Sequence, residues 1–253
     1  MKNLKKRWDL KGELTTKQLV TLVILIVSFI IILFLIFRLN LGETTDKEIC
    51  HNSVVLQGQS KIASGPLDCK INYICISGGG DCQGFPATDK AKVNPKNEIE
   101  IMKAIADEMA DCWWQFGEGK INYGSGAISG HVDYAICSIT AFDKKIQEKV
   151  SEISYSEFYN FLKTSKKGDS TESYLQYLYG VDDISSIPAQ EQIKVSIFQD
   201  KILTAGKYSV ITGIDNNIVD IIDDDEILFV YIVPTAETQA RTTSGSKEFI
   251  TKA

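Results

Sequence analysis

The feature that most constrains this chain is an uncharged apolar run from Leu19 to Phe37. Its 19 residues read LVTLVILIVSFIIILFLIF, and Thr21 and Ser28 are its only polar members. As a helix rising about 1.5 Å per residue, the run extends roughly 28 Å, close to the hydrocarbon thickness of a bilayer. Each Leu, Ile, Val or Phe favours insertion by about 0.3–0.6 kcal/mol near the bilayer centre. The run therefore predicts a transmembrane helix, with the lipid bilayer as its partner.

The charges beside this run predict its orientation. Residues 1–18 carry six Lys or Arg side chains against two acidic ones, a net charge of +4. By the positive-inside rule, this basic segment stays in the cytoplasm and the C-terminal part crosses the membrane. The run is longer than the apolar region of a cleaved signal peptide, and the residues after it offer no small-x-small cleavage site. We therefore expect an uncleaved single-pass anchor in the cell membrane, with a cytoplasmic N-terminus and an extracytoplasmic C-terminal domain.

A second interpretation of the N-terminus is a pilin-like processing site. Lys11-Gly12-Glu13 ahead of an apolar helix resembles archaeal class III signal sequences, which are cleaved after Gly and leave the helix on the mature protein. Pilins usually carry Glu at the fifth position after the cut, where this chain has Lys17. The residues leave open whether the N-terminus is processed after Gly12, and a pilin-like subunit stays an alternative.

The exported part has the size and charge of one acidic domain. We predict a cytoplasmic basic stub at residues 1–18, a span at 19–37, an extracytoplasmic α+β domain at 38–234 and a disordered tail at 235–253. The chain carries −6 in total and the residues through Arg38 carry +5, so the remainder carries −11. Because phosphate contacts need Lys and Arg surfaces, we predict no nucleic-acid partner.

The cysteines predict covalent cross-links in this domain. All six lie on the exported side, at Cys50, Cys69, Cys75, Cys82, Cys112 and Cys137. An even number in an oxidising compartment predicts three disulfides, with 15 connectivities to choose from. A metal site would need closer cysteine spacing and clustered histidines, so we predict neither a metal nor a cofactor. The pair Cys112 and Cys137 is favoured, because the first lies on the buried stripe of a predicted helix and the second in a strand expected beside it.

The hydrophobic pattern predicts an α+β fold with a mainly antiparallel sheet and several helices. The clearest helix covers residues 94–117, with Asn94 as its N-cap and Pro95 at its first position, and Gly117 and Gly119 end it. Further helices are expected after Asp143, after the capping box of Ser154 and Glu157, and after Ser170 or Thr171. Strands are predicted near residues 52–56, 69–76, 132–142, 192–198, 207–212 and 227–233.

The residues offer no catalytic constellation. The candidate binding residues are Trp114, which lies off the main apolar stripe of its helix, and His131 at the edge of a strand. The helix carboxylates Asp107, Glu108 and Asp111 lie close to aromatic residues, and paired carboxylates hydrolyse glycosides. They are more simply the solvated face of an amphipathic helix.

Three other features have a simpler structural interpretation. The triple glycine at 78–80 is expected to be a flexible turn next to Cys82. The acidic run at 215–226 lacks the spacing of a calcium loop and predicts a solvated turn. Aromatic residues between Tyr155 and Tyr179 recur at helical spacing, which indicates a core more than a ligand surface.

Two segments carry a resemblance to a known set of proteins. IADEMADCWWQFGEGK at residues 105–120, with ICSITAFD at 136–143, resembles uncharacterised archaeal proteins that have one N-terminal span and an exported domain with a CWW…GEG segment. The resemblance implies compartment and lineage, and no activity. We therefore expect a membrane-anchored protein for binding, envelope organisation or assembly, with an unidentified protein as its partner. An extracytoplasmic hydrolase and a pilin-like subunit are the alternatives.

Overall fold

The computed structural model describes residues 16–38, 45–59, 67–121, 132–186, 201–215 and 227–236. The chain divides into two compact units, residues 1–44 and 45–253. In the first unit, helix α1 covers Thr16–Arg38. Its side chains are described from residue 18 to residue 34, and the large apolar ones are 37–64% exposed. The hydroxyl of Ser28 donates to the carbonyl of Ile24 at 2.7 Å. Among the described residues, no helix is both long enough and apolar enough to cross a membrane.

The second unit contains the α+β domain. Its described elements are α2 (Asp46–Gln59), β1 (Asn72–Ser77), β2 (Asp89–Lys92), α3 (Glu98–Gln115), β3 (Val132–Phe142), α4 (Lys144–Gln147), β4 (Glu152–Ser154), α5 (Tyr155–Thr164), α6 (Tyr174–Tyr179), a 3-10 turn at Ile184–Ser186, β5 (Lys201–Leu203), β6 (Lys207–Asp215) and β7 (Ile227–Pro234). Five strands form one sheet in the order β2-β1-β3-β6-β7, and β4 pairs with β5.

The strand directions place several loops at one edge of the large sheet. Strands β1, β2 and β3 are parallel, whereas β3–β6, β6–β7 and β4–β5 are antiparallel, so three of the five described pairs are antiparallel. This confirms an α+β fold with a mainly antiparallel sheet. At the carboxyl end of β3, Ala141 lies opposite Lys207, where β6 begins. The loops after β1 and β3 and the turn before β6 therefore meet at this edge.

The main core lies between the large sheet and helices α3, α5 and α6. Five of the aromatic side chains expected in a core are buried: Tyr155, Phe158, Tyr159, Phe161 and Tyr174. Tyr177 and Tyr179 are partly buried and pack against the same core. Helix α3 presents its apolar stripe to the sheet, which is why it is the clearest helix in the sequence.

Tyrosines on the helices also cover the outer edge of the sheet. The hydroxyls of Tyr155 and Tyr179 donate to the carbonyls of Ile232 and Val230 at 3.1 and 2.9 Å. Carbonyls two residues apart point to the same side of a strand, so these bonds satisfy two neighbouring carbonyls on one side of β7. An apolar edge strand would otherwise template pairing with another chain.

Several predicted element ends are confirmed. Strand β3 has the predicted bounds, Asp143 caps a short helix, and Ser154 and Glu157 form the predicted capping box. After α3, Gly117 and Gly119 have positive φ values of 84° and 71°, as a left-handed ending requires.

Other predicted ends are wrong. Asn94 does not cap α3; the cap is Asn97, whose side chain accepts from the amide of Ile99, because residues 94–97 first form a turn. Ser173, three positions after Ser170, caps α6 because its hydroxyl is the one that reaches the amide of Gln176.

One predicted strand is a helix. Residues 52–56 lie inside α2, although Val54 and Val55 favour a strand. The buried residues of α2 are Cys50 and Val54, four positions apart, so the helix places both on one face toward the core. The predicted strand at 192–198 and most of the predicted tail lie outside the described residues, and the short strand β5 was not predicted.

The six cysteines form three pairs at disulfide distance. Cys50 pairs with Cys69, Cys75 with Cys82, and Cys112 with Cys137, the last being the pair that the sequence favours. Cys137 lies where the register between β3 and β6 shifts, since Ile136 and Ser138 have consecutive partners on β6. This bulge contributes one extra residue, and that residue carries the bond to α3.

Candidate functional site

The best candidate for a functional site is a cavity of about 250 Å³ at the carboxyl ends of β1 and β3. We call it the carboxyl-edge cavity. Its lining includes Gln83, Phe85, Lys144, Gln147, Gly206 and Lys207. In open sheets with parallel strands, ligands bind outside the carboxyl ends of neighbouring strands whose connections diverge. Here the next strand of the sheet lies on one side after β1, where it is β2, and on the other side after β3, where it is β6, so the cavity occupies that position.

A buried carboxylate fixes the loop that leaves β1. Asp143 follows β3 and is 1% exposed. Its Oδ2 accepts from the amide of Gly80 at 2.8 Å and from the hydroxyl of Ser77 at 3.1 Å, and its Oδ1 accepts from the amide of Ile146 at 2.9 Å. A Cβ on Gly80 would lie 2.9 Å from that Oδ2, so only glycine allows this approach. The triple glycine is therefore an anchored turn.

These hydrogen bonds also determine the charge state of Asp143. Burial on its own would raise the pKa of this carboxyl. The amides of Ile146, Gly80 and Gly78 and the hydroxyl of Ser77 outweigh burial, so the pKa of Asp143 lies below its ordinary value. Asp143 is therefore ionised, and its carboxylate oxygens accept hydrogen bonds that fix the loop.

The remaining walls of the cavity are also anchored. The hydroxyl of Thr204, in the turn before β6, donates to the carbonyl of Val150 at 2.7 Å. The side-chain amide of Gln147 donates to the carbonyl of Phe142 at 2.8 Å. The ring of Phe85 lies 5.7 Å from that of Tyr73, and the disulfide at Cys82 ties the same loop to β1. The cavity is therefore largely pre-formed.

Two lysines bring positive charge to this cavity. Lys144 and Lys207 both line it, and no carboxylate of the described residues forms an ion pair with either. The ammonium of Lys207 lies 5.6 Å from the centre of the Phe85 ring, within the range of a cation–π contact. A neighbouring cavity of about 420 Å³ shares Lys207 and Gly206.

A second group of charges lies between α2 and α3. Lys47 contacts Asp111 at 2.5 Å and Glu108 at 3.6 Å, and the Glu108 side chain is 12% exposed. We call these three residues the α2–α3 cluster. Burial raises the pKa of Glu108 to about 7; Lys47 opposes the rise, while Asp111 and Asp89 add to it. Burial lowers the pKa of Lys47, but the two carboxylates outweigh it and the net direction is upward.

Two other carboxylates, one on α3 and one just after it, accept hydrogen bonds from tyrosines of α6. Asp107 accepts from the hydroxyl of Tyr174 and pairs with Lys103 at 2.7 Å. Glu118 accepts from the hydroxyl of Tyr177 at 2.8 Å. Burial and these carboxylates raise the pKa of both tyrosines. The carboxylates considered for glycoside hydrolysis are thus structural contacts between helices, and they line neither cavity described above.

The predicted binding residues are not in the carboxyl-edge cavity. Trp114 stacks on His51, with ring centres 4.3 Å apart and planes 8° apart, and its carbonyl lies 2.7 Å from Nδ1 of His51. One face of the indole is therefore covered, and a role for Trp114 in binding stays a prediction. His131 and the acidic run after Asp215 lie outside the described residues. Within the described part of the chain, no group of three or more His, Cys, Asp or Glu side chains is arranged to hold a metal ion.

Sequence reasoning missed Lys144, Gln147 and Lys207. A signal for them was present, because Gly78–Gly80 and Asp143 each follow a predicted strand. The signal becomes informative only once β1 and β3 are known to be parallel neighbours.

No protein-family model, curated protein or solved structure matches the chain.

Proposed function

We propose that this chain is a membrane-anchored protein that displays a disulfide-bonded binding domain outside the cytoplasm. The proposed anchor is the uncharged run of residues 19–37 within α1, with the basic residues 1–18 on its cytoplasmic side. The apolar side chains described in α1 are exposed, as those of a lipid-facing helix are. The helix also satisfies the hydroxyl of Ser28 internally, which a span requires.

The observation that carries the proposal is the distribution of the cysteines. All six are paired, none is free, and every one lies after α1 in the chain. Disulfides persist in oxidising compartments and are rare in the cytosol. A domain with three such pairs, reached through an apolar helix, fits an extracytoplasmic location.

A binding role accounts for the domain better than hydrolysis does. Glu108 and Asp111 share Lys47, and Asp107 is bonded to Tyr174, so these carboxylates already have structural partners. The carboxyl-edge cavity has anchored walls, and a pre-formed cavity of this kind favours binding with little loss of conformational entropy.

The location can be tested with the full chain in membranes. We expect it to stay with membranes after an alkaline wash and its domain to be cleaved by protease added from outside. The variant Ile26→Arg with Phe29→Arg should lose membrane retention, since each charge near the bilayer centre costs about 2.5–3.5 kcal/mol. Ser28→Ala is the matched control and should be retained. A chain that is washed off, or protected from external protease, would contradict the proposal. A mature N-terminus at Glu13 would instead favour the pilin-like alternative.

The cross-links provide an independent test. Mass spectrometry without reduction should find three bridges with the connectivity given above. Reduction should then lower the urea midpoint of unfolding, because losing one native disulfide typically costs about 2–5 kcal/mol. Free thiols throughout, or equal midpoints with and without reductant, would argue against an oxidising compartment.

A further inference from the structure

We propose that the carboxyl-edge cavity binds a small soluble oxyanion, a carboxylate or a phosphate, through Lys144 and Lys207. This inference rests on the proposed binding role and names the chemical class of the ligand. It depends on the charge, the rigidity and the size of the cavity.

The charge of the cavity is opposite to that of the domain. Its lining contains two lysines and two glutamine amides, and no Asp or Glu. The residues after Arg38 carry a net charge of −11. Seven other lysines form ion pairs with carboxylates: Lys47, Lys70, Lys90, Lys103, Lys120, Lys163 and Lys201. The two cavity lysines lack such partners among the described residues, so their charge is available to an anion.

The nearby carboxylate of Asp143 lies outside the lining of this cavity. Its oxygens point to the loop, where they accept from Ser77, Gly80 and Ile146. The ammonium of neighbouring Lys145 lies 3.4 Å from the carbonyl of Gly79 and does not line the cavity. The charged side chains that line the cavity are therefore both lysines.

The size and walls of the cavity restrict the ligand. A volume of about 250 Å³ is smaller than the roughly 300–1,000 Å³ of typical pockets for drug-sized ligands, which suits a small anion. Phe85 supplies an apolar wall on one side and holds the ammonium of Lys207 near its ring. Because the disulfide at Cys82 and the hydrogen bonds of Thr204 fix two walls, binding needs little reordering.

The test is calorimetry on the full chain in a non-ionic, phosphate-free detergent at low ionic strength. Sodium phosphate and sodium succinate are the probes, and sodium chloride at matched ionic strength is the control. We expect one of the two oxyanions to bind saturably. Lys207→Gln and Lys144→Gln should each weaken binding about tenfold or more, the usual effect of losing a charge-assisted contact. Lys207→Arg should retain most of the affinity.

Lys149→Gln is the matched control, because Lys149 is exposed, follows the same helix and does not line the cavity. Its affinity should stay within about twofold of wild type. Absence of saturation with both probes would overturn the inference, and so would equal losses in Lys149→Gln and Lys207→Gln. Circular dichroism confirms that each variant is folded. An exported chain that binds neither probe would overturn only this inference, whereas a chain that binds but fails the membrane test would overturn only the proposed location.

Discussion

Two carboxylates of this domain, one buried and one partly buried, have pKa shifts in opposite directions. Asp143, beside the carboxyl-edge cavity, is 1% exposed and its pKa is lowered. Glu108, in the α2–α3 cluster, has a side chain that is 12% exposed and a pKa raised to about 7. In both cases, burial acts to raise the pKa. Burial alone therefore does not decide the charge state of a carboxylate in this fold.

The partners of the two groups explain the difference. Asp143 accepts from backbone amides that are fixed by the turn and by the start of α4, so stabilising its anion requires no further ordering. Glu108 relies on Lys47, which contacts Asp111 at a shorter distance, and Asp111 also repels it. Preorganised donors outweigh desolvation in the first case, and a shared cation does not in the second.

The lysines of the two regions also differ, because one is paired with carboxylates and the others are open to a ligand. In the α2–α3 cluster, Lys47 is used by two carboxylates. At the carboxyl-edge cavity, backbone and hydroxyl donors satisfy Asp143, and this leaves Lys144 and Lys207 without a described carboxylate. The same residue types thus hold helices together in one region and offer charge to a ligand in the other.

The largest expected effect is that of Asp143→Ala. It removes the acceptor of the Gly80 and Ile146 amides and one of the two acceptors of the Ser77 hydroxyl, and it removes the cap of α4. We expect a loss of about 3 kcal/mol or more in the free energy of unfolding, because buried donors are left unpaired. Urea unfolding of the full chain in detergent, followed by tryptophan fluorescence, measures it. A loss below about 1 kcal/mol would show that the turn does not depend on this carboxylate.

The variant Asp143→Asn keeps one acceptor and isolates the charge. The folded-state pKa of Asp143 lies below the ordinary value of 3.8, so the folded protein binds this proton less tightly than the unfolded chain. The stabilisation that ionised Asp143 provides is present at pH values above 3.8, and it is lost as the pH falls through the folded-state pKa. The wild type should therefore lose its advantage over Asp143→Asn below about pH 4, as urea midpoints at a series of pH values would show.

The next largest effect concerns Glu108 and has the opposite sign. Its folded-state pKa of about 7 exceeds the ordinary 4.5, so the folded protein holds this proton more tightly. This stabilisation is present below the ordinary value and is lost as the pH rises toward 7. Between pH 5 and 8, the free energy of unfolding of the wild type should fall by about 2 kcal/mol relative to Glu108→Gln.

Glu98→Gln is the control for that comparison, since Glu98 is an exposed carboxylate on the same helix. Its stability should follow the wild type over the same pH range. Parallel pH profiles for wild type and Glu108→Gln would mean that Lys47 fully compensates the buried charge, and the contrast with Asp143 would disappear.

Features that depend on residues close together in the sequence could be predicted, whereas features that depend on tertiary contacts could not. The capping box at Ser154, the cap at Asp143 and the bounds of β3 follow from local patterns, and all are confirmed. The strand predicted at residues 52–56 is wrong because packing against the core, and not local propensity, determines the secondary structure of this segment. Cys50 and Val54 reach the core together only as a helix, which overrides the strand preference of paired valines.

The candidate site depends on long-range pairing, and it was therefore missed. Lys144 and Lys207 are more than sixty residues apart and meet because β3 and β6 are antiparallel neighbours, with Ala141 opposite Lys207. No local pattern encodes that register. The sequence predicts a solvated face for Asp107 and Glu108 for the same reason, since the residues that contact them, Tyr174 and Lys47, come from α6 and α2.

The smallest expected effect is that of Lys207→Gln, and Lys47→Gln is its matched comparison. Lys207 has no described carboxylate partner, so its loss should change the free energy of unfolding by no more than about 0.5 kcal/mol. Loss of Lys47 leaves Glu108 facing Asp111 without a cation, although uptake of a proton by Glu108 limits the cost to about 1–2 kcal/mol at neutral pH. Urea unfolding of both variants in phosphate-free buffer measures the difference. Equal losses would mean that Lys207 is a structural charge like Lys47, and the cavity would then have no charge reserved for a ligand.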